Sequence, residues 1–144
     1  MQFLHKLKKL IQGIVTSEIG YKLIVKRYTK EGFLRTNMGF ICIENVTKFI
    51  QSLLFFGFYE KKEKQIVSKY LPSEYDVIEA GASLGYISLT IAKKVQYNKQ
   101  IVIIDANPNV YDNLKKTFIA NAIENVHIVN SALDYSGISE IQFM

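Results

Sequence analysis

Between residues 75 and 130 the apolar residues change period repeatedly, from two to nearly four and back, and this constrains the fold most tightly. Tyr75–Ala80 (YDVIEA) is a short β-rich run, followed by the loop GASLG. From Leu84 the spacing becomes helical: Leu84, Ile87, Ile91 and Val95 align, and Lys93-Lys94 sit near the C-terminal end, where cations suit the helix dipole. Gln100–Asp105 (QIVIID) is a continuous apolar run, the pattern of a strand covered on both faces. Asn107-Pro108 opens another helix, with Asn as N-cap, Pro at the first helical position and Asp112 close behind. Tyr111, Leu114, Phe118 and Ala122 form its predicted inner stripe. Asn125–Asn130 (NVHIVN) is a third strand. Gly137–Phe143 predicts a fourth, more exposed one, because Ile141 and Phe143 alternate with Glu140 and Gln142. Strands that alternate with helices in this way form βαβ units and a parallel sheet, so the fold class is α/β.

Upstream the signals are weaker. Phe3, Leu7, Leu10 and Ile14 recur at helical spacing over Met1–Val15, opposite His5, Lys6, Lys8, Lys9 and Gln12. That amphipathic helix would bind a bilayer surface only weakly by itself and is expected to pack on the domain that follows. Residues 20–44 read as short strands or irregular chain, with turns at Lys30-Glu31-Gly32 and Asn37-Met38-Gly39. Asn45–Phe56 predicts a helix burying Val46, Phe49, Ile50, Leu53 and Leu54. Tyr59–Leu71 predicts another with Ile66, Val67 and Tyr70 inward, stopped at Leu71-Pro72 because a residue before proline leaves the helical region. The division this suggests is a basic N-terminal extension and lead-in over 1–58 and an α/β domain over 59–144.

Charge divides along the chain. Residues 1–70 carry 13 basic and 5 acidic side chains, a net +8, and residues 71–144 carry 5 and 8, a net −3. The lysines are scattered rather than clustered, which favours ordinary solvated surface over a nucleic-acid footprint. A single Cys42 excludes an internal disulfide, and no Cys/His spacing offers a metal site. No apolar run is long enough to span a bilayer, and no convincing signal peptide opens the chain, so the expected compartment is cytoplasmic.

In an open α/β sheet ligands sit beyond the carboxyl ends of the strands. Three clusters fall there: Glu79 with Gly81, Ala82, Ser83, Gly85 and Tyr86; Asp105 with Ala106 and Asn107; and Ser131 with Ala132. Gly81 and Gly85 let the backbone turn tightly and approach a ligand. Glu79 can meet an ammonium. Asp105, 20 residues after Gly85, can accept both hydroxyls of a ribose. Neither G-x-G-x-x-G nor G-x-x-x-x-G-K-[ST] is present, and an acid two residues before the first glycine would repel a pyrophosphate. E-x-G-x-x-x-G suits a cofactor with a cationic end, and S-adenosyl-L-methionine offers an ammonium, a sulfonium and a ribose. The simpler alternative is that the acids cap strand ends and the glycines merely turn. His127 lies mid-strand and suits solvent better than catalysis. Cys42 has no basic partner and suits a buried apolar role. Tyr59-Glu60 reads equally as a cofactor-side lid or as an acid at a helix N-terminus.

VIEAGASLGYISLTIA resembles the first motif of class I S-adenosylmethionine-dependent methyltransferases. IVIIDANPNVYDNLKKTFIANAIENVHIVNSALDYSGISEIQF is similar to the second and third strands of the FkbM family, and FFGFYEKKEKQIVSKYL to its lead-in. The resemblance covers about residues 55–144. It implies a Rossmann-like sheet of which this chain carries the first three strands and a hairpin strand. Glu79, Gly81, Ser83 and Gly85 would line the methionine end of the cofactor, Asp105 and Asn107 the ribose, and Ser131-Ala132 the adenine. Ser83 stands where the family commonly has Asn.

A class I sheet has seven strands, so the resemblance implies a cofactor-binding half, with the YDVIEA strand left as an unpaired apolar edge. The family's acidic fourth-strand motif is absent, and no catalytic base is identified. The implied activity is O-methylation of a sugar or small-metabolite hydroxyl; a truncated or fragmentary chain, inactive by itself, is the expected explanation of the missing half, with a second chain as the other way to complete the sheet. Two rivals rank below it. An RNA methyltransferase would use the basic half as an RNA arm. A non-catalytic scaffold would use the open sheet edge for a partner.

Overall fold

The computed structural model describes residues 13–14 and 16–133. The helix expected over Met1–Val15, except for Gly13 and Ile14, and the strand expected at Gly137–Phe143 lie outside the described residues. Helix α1 (Glu18–Leu23) opens where Ser17 Oγ accepts the Gly20 N–H at 3.1 Å, and a 3-10 turn follows over Val25–Tyr28. Strands β1 (Thr29–Lys30), β2 (Phe33–Thr36) and β3 (Gly39–Cys42) form an antiparallel meander. Its turns fall at the two predicted places, where Glu31, Gly32 and Gly39 hold positive φ.

Helix α2 (Lys48–Phe55) is capped by Thr47, but its inward face differs from the predicted one. Gln51, Ser52 and Leu54 are buried, whereas Phe49 is 55% exposed. The reason is a satisfied polar pair in the interior. Tyr21 O–H donates to Gln51 Oε1 at 2.7 Å, and Gln51 Nε2 donates to the Val46 carbonyl at 2.8 Å. A buried amide with its partners in place costs little and fixes the rotation of the helix. Helix α3 (Lys61–Tyr70) is also rotated from expectation: Ile66 is 59% and Tyr70 66% exposed, and only Val67 is half-buried. Two lysine contacts accompany this rotation. Lys64 Nζ reaches the Tyr86 hydroxyl at 3.3 Å, and Lys94 Nζ donates to the Ser68 carbonyl.

The remaining elements alternate as predicted: β4 (Val77–Ala80), α4 (Tyr86–Lys94), β5 (Ile101–Asp105), α5 (Pro108–Ala120) and β6 (Val126–Asn130). The three strands form a parallel sheet in the order β4-β5-β6, which places Ile78, Val102 and His127 in one row and Glu79, Ile103 and Ile128 in the next. Ile101 and Ile103 are fully buried with Leu89 of α4 and Leu114 and Phe118 of α5. The opposite face carries Ile78, Ala80, His127 and Val129, all exposed, with Val102 and Ile104 only half-buried between them. Among the described residues, β5 is therefore closed on one face, not on both. Ala122, expected on the α5 stripe, lies beyond the helix and is exposed, and Thr117 takes the inward position.

One hydrophobic cluster runs through the molecule. Val25, Leu34, Ile41 and Leu54 from before residue 59 share it with Leu89, Ile101, Ile103 and Leu114 from after it. The meander is fastened to α5 by polar groups. Asn121 accepts the Phe40 N–H at 3.0 Å and donates to the Phe40 carbonyl at 2.6 Å, as a neighbouring strand would. Thr117 Oγ1 accepts the Cys42 N–H at 3.0 Å, and Lys116 pairs with Glu44 at 2.6 Å. Among the described residues no helix is long and apolar enough to cross a membrane.

Candidate functional site

The carboxyl ends of β4, β5 and β6 converge because the strands are parallel and in register up to Asp105 opposite Asn130. The loop after β4 is shaped by positive φ at Gly81 (77°), Ser83 (51°) and Gly85 (78°). At Gly81 a Cβ would meet nothing within 4 Å, so the loop backbone is open there. At Gly85 a Cβ would lie 2.7 Å from Leu114 Cδ2, so the glycine also lets α4 sit close to α5. Ser83 pays the cost of a left-handed backbone at a non-glycine residue, and its neighbours hold it. Its N–H donates to Asp105 Oδ2 at 3.0 Å, and its Oγ lies 3.2 Å from the Tyr59 hydroxyl.

Asp105 is the fastener of this end of the sheet. Its Oδ1 accepts the Asn107 N–H at 3.0 Å while Oδ2 holds Ser83, and its carbonyl accepts Asn130 Nδ2 at 2.9 Å and the Ser131 N–H at 3.1 Å. Asn107 caps α5, accepting the Asn109 N–H at 3.0 Å, as its place before Pro108 predicts. A carboxylate offers about four lone-pair directions, so each Asp105 oxygen keeps one free.

Glu79 differs in kind. Strand alternation puts its side chain on the covered face, beside the first turns of α4. Its Oε2 and the nearby Ser88 Oγ are both buried without a hydrogen-bond partner. Burial pushes the carboxyl from its ordinary 4.5 up to about 7; the Ser88 hydroxyl dipole opposes this, and Glu60 and Asp105 add to it. Glu60, at the N-terminus of α3 with φ 44°, is itself raised by burial and by Glu63. The sequence left Glu60 ambiguous; the structure brings its charge to bear on Glu79, Tyr59 and Tyr86. Its strained backbone carries no composition signal, which is why spacing alone could not assign it.

The other predicted residues divide. Gly81, Ser83, Gly85, Asp105, Ala106, Asn107, Ser131 and Ala132 lie at this end of the sheet, Ser131 exposed and the alanines at 106 and 132 half-buried. Ala82 and Tyr86 turn their side chains into the core, at 2% and 0% exposure, so only their backbones face the loop. His127 is exposed, and Cys42 is buried with its thiol 3.4 Å from Asn113 Oδ1. Chemically, the arrangement is a backbone-lined loop bordered by carboxyl groups that form no ion pair among the described residues. No protein-family model matches the chain, and no curated protein matches it.

Proposed function

We propose that this end of the sheet binds S-adenosyl-L-methionine and that the protein is a methyltransferase of FkbM type with a Rossmann-like sheet, acting on the hydroxyl of a sugar or other small metabolite. The observation that carries the reading is the unpartnered Glu79 Oε2. A buried carboxyl raised to about 7 gains most from an ammonium beside it, which restores its ionised form. The free lone pairs of Asp105 suit a ribose diol, and the open space at Gly81 admits a ligand against the backbone. The donor set thus fits the group: Glu79 and the loop Gly81–Gly85 for the amino-acid end, Asp105 and Asn107 for the ribose, Ser131 and Ala132 for the base. When bound, the cofactor supplies an electrophilic methyl group on a sulfonium. The chain's part is positional: Asp105 ties the loop to the second strand and Tyr59 holds Ser83, so the acceptor meets a fixed target.

Titration calorimetry of the full chain with S-adenosylhomocysteine tests this. Binding is expected, about tenfold to a hundredfold weaker in Asp105→Ala and in Glu79→Gln, as for loss of a charge-assisted hydrogen bond. Affinity should rise as pH is raised through about 7, where Glu79 ionises. No binding, or binding that Asp105→Ala leaves unchanged, overturns the reading.

A further inference from the structure

Beside Tyr86 lies a cavity of about 530 Å³, between the turn joining β2 to β3 and one face of α3. Its α3 side is a stripe at helical spacing: Lys61, Lys64, Gln65, Ser68 and Lys69. Asn37 faces them from the turn. The rotation of α3 that exposes Ile66 and Tyr70 is the same rotation that turns this stripe into the cavity.

Three lysines line the cavity, and none forms an ion pair among the described residues, although Lys69 Nζ lies 4.7 Å over the Tyr70 ring at its edge. Lys64 is held in place rather than free to sweep solvent. Its Nζ lies 3.3 Å from the Tyr86 hydroxyl and 5.3 Å above the ring, and burial lowers its pKa with no carboxylate to offset the cost. The Tyr86 hydroxyl in turn donates to Asn37 Oδ1 at 3.2 Å, which orients the Asn37 amide N–H groups away from that bond. Asn37, Gln65 and Ser68 thus line one concavity with the three lysines, alongside Phe56 and Gly57. A phosphate monoester, with up to two negative charges and three acceptor oxygens, matches such a set. The volume suits a small molecule.

We propose that this cavity binds the phosphate of a small, soluble phosphorylated molecule. Tyr86 stands behind the cavity: its backbone follows Gly85 of the glycine loop, and its buried hydroxyl holds Lys64 and Asn37, two of the residues that line the cavity. A phosphorylated acceptor anchored here has its remainder directed toward the loop. That role as acceptor rests on the cofactor reading above; the anion site itself does not.

The test is amide chemical-shift titration of the full chain with glycerol 3-phosphate, with glycerol as the uncharged control. Shifts confined to residues around Asn37, Lys64 and Tyr86 are expected with the phosphate and absent with glycerol. Lys61→Gln/Lys64→Gln/Lys69→Gln should weaken binding at least about tenfold, while Lys22→Gln/Lys30→Gln, on surface lysines elsewhere, leaves it unchanged. Equal weakening by both variants, or no localised shifts, overturns the proposal. So does cosedimentation with phosphatidate vesicles without binding of the soluble ester. S-adenosylhomocysteine titrated into the same lysine variant separates the two readings. Loss of phosphate binding with cofactor binding intact supports the proposal. Failure of S-adenosylhomocysteine to bind the parent chain, while the parent keeps its lysine-dependent shifts, overturns only the cofactor reading and supports the anion site.

Discussion

Two carboxylates at adjacent strand tips have opposite characters, and the difference comes from their hydrogen bonds. Asp105 accepts two backbone N–H groups and serves as a structural tie. Glu79 has a buried oxygen with no partner and is raised to about 7. Its stability linkage follows from that direction. Between about 4.5 and 7 the folded state keeps a proton that the unfolded state has released, so stability falls as pH rises through that window. Glu79→Gln abolishes this dependence; in thermal melts the variant should be more stable than the parent by about 2–3 kcal/mol at about pH 8 and equal to it at about pH 4. A parent with no such slope would mean that Glu79 is not buried in solution. The sequence located both acids correctly at strand ends, but the residue spacing of E-x-G and I-D is equally compatible with either character. Which acid is satisfied depends on backbone amides that only the folded loop supplies.

At the scale of elements, the meander and α5 share the apolar cluster and are also joined by the polar row Asn113, Thr117 and Asn121. Asn121 is the keystone, since its amide pairs with both backbone groups of Phe40 and also donates to the Thr117 carbonyl at 2.7 Å. Gly39, beside it, leaves no room for a Cβ, which would come within 2.1 Å of Asn121 Oδ1. Asn121→Ala should lower stability by about 1 kcal/mol, measured by urea denaturation, because its bonds to Phe40 lie at an exposed site where water offsets much of their loss. A change below about 0.5 kcal/mol would show that water replaces the amide at no cost. The helices α2 and α3 mark where periodicity misleads. Apolar residues alone place Phe49, Ile66 and Tyr70 inside, whereas the structure turns them out, with the Tyr21–Gln51 pair and the Lys64–Tyr86 contact in place. Long-range polar partners leave no trace in a local hydrophobic pattern, so no window of sequence could have found them.

For the molecule as a whole, the exposed row on the parallel sheet has consequences. Among the described residues β4 is an edge strand in the order β4-β5-β6, and Ile78 at its centre is 73% exposed. An apolar edge of this kind invites pairing with another chain. The apparent mass of the protein by light scattering should therefore rise with concentration, and Ile78→Lys should suppress the rise; association of the lysine variant equal to the parent would place the contact elsewhere. By itself the sequence determined the order of strands and helices from Val77 to Asn130, the asparagine cap before Pro108, and the placing of Glu79 and Asp105 at the strand ends. Those are local matters of period, capping and turn chemistry. Tertiary structure alone decided which face of the sheet is covered, which sides of α2 and α3 turn inward, and that three lysines of α3 meet Asn37 around one cavity. Each of these depends on contacts between residues distant in the chain, and such contacts are set by packing and by the pairing of buried polar groups.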